Sequence, residues 1–374
     1  HPADGPEIKH IAAVTDDTIA LTVQSGSIVP HPQTPFQQQQ GDEIVADKSD
    51  ETVLCMENGR IVDAPKGRTV MREVEENGRK RKVAIGKYVV NENLVAPLPG
   101  FAGVELTDVT VDQPRAYRIT SVDGGHASPV QPESVAIKSK PTGQAENRKA
   151  VRYDIYLKLP DGKHLVEGAV YTIDLVGINT RQPQVDYRHD PRTVRSDAVH
   201  VTQIGYRPDD PAKRAYLSLW MGTGGAVAYD ARRFEIVDQS TEKTVYSGNI
   251  RFGFAADQPE SLRGNKNHTQ TNVYYMDFAD FTTPGTYRIF VPGIGSSYPF
   301  EIADNVWEEA FRTSMHGFLS HRSGIALGKP FTDYERPRPM HPADGVKIFQ
   351  LDHTFWSGEA AAVNVSLREQ LGPR

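Results

Sequence analysis

Tyr334, Arg336, Arg338, His341 and Asp344 fall in one short stretch, YERPRPMHPADG, and Trp356 follows in HTFWSGE. Aromatic faces stack on pyranose rings, while guanidinium and carboxylate groups direct hydrogen bonds to hydroxyls. The residue types therefore suit the lining or bracing of a sugar-binding cleft. The same stretch carries Pro330, Pro337, Pro339 and Pro342, which suits a rigid structural strap equally well. Of the other tryptophans, Trp220 is expected in the core of a β-sandwich. Trp307 is expected in the buried stripe of a helix.

Three other groups invite chemistry and yield to simpler readings. A free N-terminal His1 could chelate copper with a second histidine such as His10 or His31, but nothing diagnostic surrounds them, so His1 is read simply as the start of the chain. Asp42, Glu43, Asp47 and Asp50 could suggest calcium. They lack the glycine and the terminal bidentate glutamate of an EF-hand loop and read as a solvated acidic loop. Asn267 and Asn364 each open a glycosylation acceptor pattern, which matters only in a glycosylating secretory pathway. HPADG occurs at residues 1–5 and again at 341–345, and its lack of matching context makes the repeat a coincidence.

The elements that must position these residues are mostly strands. TIALTV alternates Ile19, Leu21 and Val23 with other residues, and YDIYLKL alternates Tyr153, Ile155, Leu157 and Leu159. Asp161–Gly162 reads as a hairpin turn leading into AVYTIDLVG as the partner strand. Residues 31–50 and 72–86 read as exposed loops or strand edges, with RKRK as a solvated hairpin arm. Residues 177–197 carry turn formers and charge, which predicts a domain boundary. Seven short strands then follow between 198 and 303, from HVTQIGY to SYPFEI, at the spacing of an immunoglobulin-like sandwich without its cysteine pair.

After residue 303 the pattern changes. Asp304 can cap a helix, Glu308 and Glu309 suit its first turn, and Gly324 can stop it. Trp307, Ala310, Phe311, Met315, Phe318 and Leu319 recur at helical spacing and predict one buried stripe. A second short helix is expected near SGEAAAVNVSLREQL.

Composition excludes some classes of function. The chain has 374 residues, a net charge of −6 and 24% charged residues, with Lys and Arg scattered, so neither nucleic acid nor an anionic membrane is expected as a main partner. No apolar run reaches the length of a transmembrane span. Cys55 is the single cysteine, so an internal disulfide is impossible. The 31 glycines and 26 prolines favour a turn-rich β protein.

Three motifs then carry a resemblance. Gln203–Ile204–Gly205–Tyr206, Asp280–Phe281 with Pro284–Gly285–Thr286–Tyr287, and Arg322–Ser323–Gly324 occur in an order and spacing that resembles glycoside hydrolase family 9. The resemblance spans about residues 198–350. It implies an immunoglobulin-like domain at 198–303, then the opening of an (α/α)-barrel catalytic domain at 304–374, with residues 1–190 a further β-sandwich. The expected fold is thus mostly β, with two sandwiches followed by the first barrel helices.

The resemblance implies hydrolysis of β-1,4-linked glucan or a related polysaccharide with inversion, by two carboxylates about 6.5–9.5 Å apart. The family's Asp-Ala-Gly-Asp motif does not occur here, and the distal Glu is not in this chain either. No catalytic residue is therefore assigned. The chain is expected to be the N-terminal portion of a secreted, periplasmic or cell-surface hydrolase. Its expected partners are a β-linked polysaccharide and the remainder of the catalytic domain. The alternative is a non-catalytic β-sandwich protein that binds carbohydrate or assembles surfaces. Some family members hold a structural zinc in this opening segment. Ser323 and Met340 stand where cysteines would be, and His341 with Asp344 alone does not close such a site, so no zinc and no cofactor are expected.

Overall fold

A computed structural model describes residues 2–29, 34–46, 53–57, 60–64, 68–76, 78–89, 94–107, 110–145, 147–260, 266–333, 335–336 and 338. The fold is mostly β, with a single α-helix, Val306–His321, among the described residues. Backbone packing separates two units. One takes in the described residues of 1–29 and 100–310, the other those of 30–99 and 311–338. Among the described residues, no helix is long and apolar enough to cross a membrane.

The first unit begins with a sandwich of two four-stranded antiparallel sheets. One sheet runs Glu7–Thr15, Thr18–Ser25, Arg148–Lys158, Ser134–Ala145, and the other His126–Val130, Tyr117–Ser121, Val170–Leu175, Gln184–Arg188. Period-two alternation turns Ile19, Leu21, Val23, Ile155 and Leu157 inward from the first sheet, against Tyr117, Ile119, Tyr171 and Ile173 of the second. The hairpin expected at Asp161–Gly162 does not form. Arg148–Lys158 pairs with Thr18–Ser25 and Ser134–Ala145, whereas Val170–Leu175 pairs in the opposite sheet. Leu159 N and Leu165 N donate instead to Asp17 O and Asp16 O at 2.8 and 2.7 Å, so the segment crosses between sheets. Gln184–Arg188 is an edge strand with Tyr187 buried, inside the stretch that reads as linker.

The same unit continues as an immunoglobulin-like sandwich. Its strands form one antiparallel path, Val199–His200, Arg214–Leu217, Val273–Asp277, Thr244–Phe254, Arg233–Asp238, Gly285–Val291, Gly295–Ser296, with Phe300–Ile302 also pairing to Gly285–Val291. Thr244–Phe254 pairs with Arg233–Asp238 along its first half and with Val273–Asp277 along its second. The sheet therefore folds over this strand and nearly closes on itself. Phe234, Ile236, Leu217, Met276, Phe278 and Ile289 fill its core. Trp220 lies outside that core, 37% exposed, at an isolated bridge to Ala226.

The motif residues have structural work to do here. Gly205 has φ +95°, and a Cβ there would meet the Glu301 carbonyl oxygen at 2.4 Å. Only glycine suits both the left-handed backbone and that approach. Tyr206 follows, with its N–H donating to Glu301 O at 2.9 Å, and Ala303 N donates back to Tyr206 O at 3.1 Å. The Tyr206 hydroxyl donates to Arg214 O, and burial pushes its pKa up to about 12, so it stays a neutral donor. Its ring meets Phe278 and Phe300 edge-on at 5.3 and 5.8 Å. Arg207 Nη1 reaches Asp304 O at 3.0 Å, just before the helix. In Pro284–Gly285–Thr286–Tyr287, the Tyr287 hydroxyl turns back to Thr283 O and Pro284 O, each 3.1 Å away, which closes the corner.

The second unit contains a five-stranded antiparallel sheet, Thr34–Pro35, Leu94–Pro97, Arg79–Val89, Arg68–Glu76, Glu43–Ala46, and a separate ribbon of Val53–Glu57 with Arg60–Ala64. RKRK lies on an exposed hairpin, as its charge predicts. Glu73 faces Lys82 and Glu75 faces Lys80 across the ladder, and Lys80 and Lys82 pair with Glu73 and Glu43 at 2.8 and 2.6 Å. Asp42 is buried, not solvated as the acidic-loop reading expects. Arg72 grips it with two bonds, at 2.7 and 2.8 Å, and holds its carboxyl below the ordinary range. Asp47 and Asp50 lie outside the described residues.

The two sandwiches of the first unit are clamped together at Asp197. Arg152 Nη2 donates to Asp197 Oδ2 at 2.9 Å, and Arg195 pairs with Oδ1. Arg152 also bonds Asp154 at 2.9 Å, and Asp154 accepts from Thr22 Oγ1 at 3.0 Å. Ser196 Oγ donates to Ala13 O at 2.7 Å and Tyr229 Oη to Val14 O at 3.0 Å. Burial raises the Asp197 pKa, but Arg195 and Arg152 outweigh it and hold the group below the usual carboxylate range.

Two outcomes are expected. Asp197→Asn lowers stability at neutral pH by about 2–3 kcal/mol, less than for a wholly buried pair because both arginines keep some solvent. A lowered folded pKa gives stability that is present above the ordinary aspartate value and is lost as the pH falls through the folded value. The stability difference between wild type and variant therefore shrinks on acidification below about pH 4, which thermal melts across that range will read. Gly205→Ala costs about 3 kcal/mol through strain and the backbone clash, measured by urea unfolding. An unchanged midpoint would contradict the role given to Gly205.

Candidate functional site

The helix Val306–His321 carries Glu308 and Glu309 in its first turn and His321 in its last, each favourable to the helix dipole. Its apolar stripe is not buried against the described residues. Trp307 is 54% exposed and Phe318 72%, with Phe311 and Met315 exposed beside them, and only Val306 is buried. The burial expected for Trp307 thus does not occur here, because a lone amphipathic helix needs a partner surface to cover its stripe.

Arg336 folds back onto the end of this helix. Its backbone pairs with Leu327, with N–O distances of 2.9 and 3.2 Å, and its Nη2 lies 3.4 Å from Ser320 O and 3.2 Å from Arg322 O. The guanidinium thereby serves carbonyls that the helix end leaves without partners. Arg338 is exposed. Tyr334, His341, Asp344 and Trp356 lie outside the described residues, as do Met340, His1 and His31. His10 is engaged elsewhere, with its Nε2 at 2.8 Å from Arg195 O. Among the described residues, no three His, Cys, Asp or Glu side chains lie close enough to hold a metal ion.

A depression that no motif announces, bordered by charged side chains, lies on the N-terminal sandwich. Its volume is about 320 Å³, and Asp4, Glu7, Lys9, Gln24 and Arg181 line it above Gly5, Gly26 and Gly103. Lys9 Nζ donates to Glu7 Oε2 at 2.6 Å, and Arg181 Nη1 stands 3.6 Å from the same oxygen. The bond to Lys9 holds the Glu7 carboxyl below its ordinary range. Gln24 Nε2 donates to Gly26 O and Thr142 Oγ1, at 2.9 and 3.0 Å. Sequence reasoning passed these residues over because they come from four distant segments and follow no spacing rule.

Comparison with known proteins bears on the immunoglobulin-like part. Residues 194–296 match the model of the cellulase N-terminal ig-like domain. Two Endoglucanase D sequences from Acetivibrio thermocellus are each 42% identical over 79 residues, which is 21% of this chain. The chain spans only 13% and 12% of their lengths. Among solved structures, a metagenome-derived glycoside hydrolase family 9 endoglucanase aligns over 45% of this chain and 27% of its own, at 19% identity and a TM-score of 0.30. Bacteroides ovatus GH9 aligns over 46% and 27%, at 20% identity and 0.31. Over residues 194–296 the chain thus resembles the immunoglobulin-like domain of cellulases, and the resemblance to glycoside hydrolase family 9 that its motifs carry holds there.

Proposed function

We propose that this chain is the N-terminal portion of a secreted glycoside hydrolase that cleaves β-1,4-linked glucan, or a related polysaccharide, by inversion. The observation that supports this reading is the succession along the chain. A cellulase-type immunoglobulin-like domain ends at about residue 303 and leads directly into an amphipathic helix followed by Arg322–Ser323–Gly324. In this reading residues 304–374 open an (α/α)-barrel catalytic domain. The exposed Trp307, Phe311, Met315 and Phe318 are the stripe that further barrel helices cover. The immunoglobulin-like domain supports the barrel through the Gly205–Tyr206 anchor at the helix entry. Residues 1–29 and 100–190 contribute a further sandwich in front, and the described residues of 30–99, expected to belong to it, form a separate sheet instead.

Chemistry on this reading belongs to two carboxylates on polypeptide beyond this chain. One takes a proton from the attacking water, and the other protonates the leaving oxygen. Tyr334, Arg336, Arg338, His341, Asp344 and Trp356 then line or brace the approach to them rather than react.

The test is direct. The 374-residue chain releases no reducing ends from β-glucan, whereas the same chain extended by its natural downstream sequence does. Proton NMR of the first products shows the inverted anomer. Hydrolysis by the 374-residue chain alone would refute the placement of the catalytic groups. A natural protein of 41.4 kDa without hydrolytic activity would favour the non-catalytic alternative.

A further inference from the structure

We propose that the depression bounded by Asp4, Glu7, Lys9, Gln24 and Arg181 is a binding site for a neutral, hydroxyl-rich ligand, the sugar units of a β-glucan chain. Its identification of the sugar rests on the function proposed above, and the site itself rests on geometry. The volume of about 320 Å³ lies at the lower end of the range for small-molecule sites. It admits a short stretch of pyranose units.

The charge pattern selects the ligand class. Asp4 and Glu7 oppose Lys9 and Arg181, so the site has no net charge to draw an anion or a cation. It offers instead closely set donors and acceptors, the pairing that a hydroxyl group, at once donor and acceptor, can satisfy. The Gln24 amide nitrogen is already engaged, and its side-chain oxygen has no partner among the described residues.

The backbone is shaped toward the same place. The ladder between Glu7–Thr15 and Thr18–Ser25 pairs Ile8 with Val23 and His10 with Thr22, which leaves Lys9 as the extra residue of a bulge. A bulge re-aims its side chain, and here Lys9 lines the depression. Gly26 has φ +67° with the Phe101 ring where its Cβ would stand, and Gly103 has φ +92°, so the turns beside the depression require glycine.

A second, shallower groove of about 470 Å³ shares Lys9. It is bounded by His10 on one sheet and by Asp186 and Arg188 on the edge strand of the other. The two depressions share Lys9 on the strand Glu7–Thr15.

Calorimetric titration of the full chain with cellotetraose tests this, with mannotetraose and inorganic phosphate as parallel probes. Cellotetraose is expected to bind. Arg181→Ala and Glu7→Gln are each expected to weaken it about tenfold, the loss of one charge-assisted hydrogen bond, with the melting temperature unchanged. Lys158→Ala, at a remote exposed ion pair, leaves binding intact. Binding of mannotetraose alone, with the same loss in Arg181→Ala, sustains the site and removes the β-glucan reading. Binding of phosphate alone, of neither sugar, or of sugar equally by wild type and both variants overturns the site.

Discussion

Asp197 sits between two guanidinium groups, and the first unit depends on that arrangement. Arg152 belongs to the N-terminal sandwich, while Arg195 and Asp197 belong to the segment that leads into the immunoglobulin-like domain. A carboxylate so far removed from solvent survives as an anion only because both cations attend it. Around it Ser196, Tyr229 and His10 tie loop and strand carbonyls across the same junction. Arg195 also lies 4.0 Å over the Tyr298 ring, which brings the final strands into the junction. Two sandwiches joined in this way pack as one unit. The depression on the first sandwich therefore has a fixed relation to the immunoglobulin-like domain.

The Gln203–Tyr206 and Pro284–Tyr287 motifs that carry the family resemblance act on the architecture. Gly205 lets two backbones approach, Tyr206 fills the space between Phe278 and Phe300, and Tyr287 closes a corner. Their physical effect is to set where Phe300–Ile302 ends and Val306–His321 begins. That exit sets the start of the helix Val306–His321.

Much of this was legible in the residues themselves. Alternation gave Thr18–Ser25, Arg148–Lys158, Arg233–Asp238 and Gly285–Val291, because a strand with one buried face must repeat every second residue. The helix Val306–His321 followed from its acidic first turn and its apolar spacing. The charges of RKRK marked an exposed hairpin arm. Partner choice was not legible. Asp161–Gly162 has the composition of a hairpin turn, yet the strands on either side belong to opposite sheets. Turn chemistry specifies local bending, whereas pairing is decided by which faces share a core. Trp220 shows the same limit, since an aromatic at the end of a strand is buried only if something covers it.

The sequence by itself determined the strand content, the helix, the solvated charges and the likeness to family 9 cellulases. These depend on neighbouring residues, or on short motifs read in order. Only the tertiary structure decided that Asp42 is bound by Arg72, that Arg336 serves the end of a helix, and that Asp4, Glu7, Lys9, Gln24 and Arg181 share one depression. Each of those joins residues far apart in the chain. Their meeting is fixed by sheet order and register, which no spacing along the chain records.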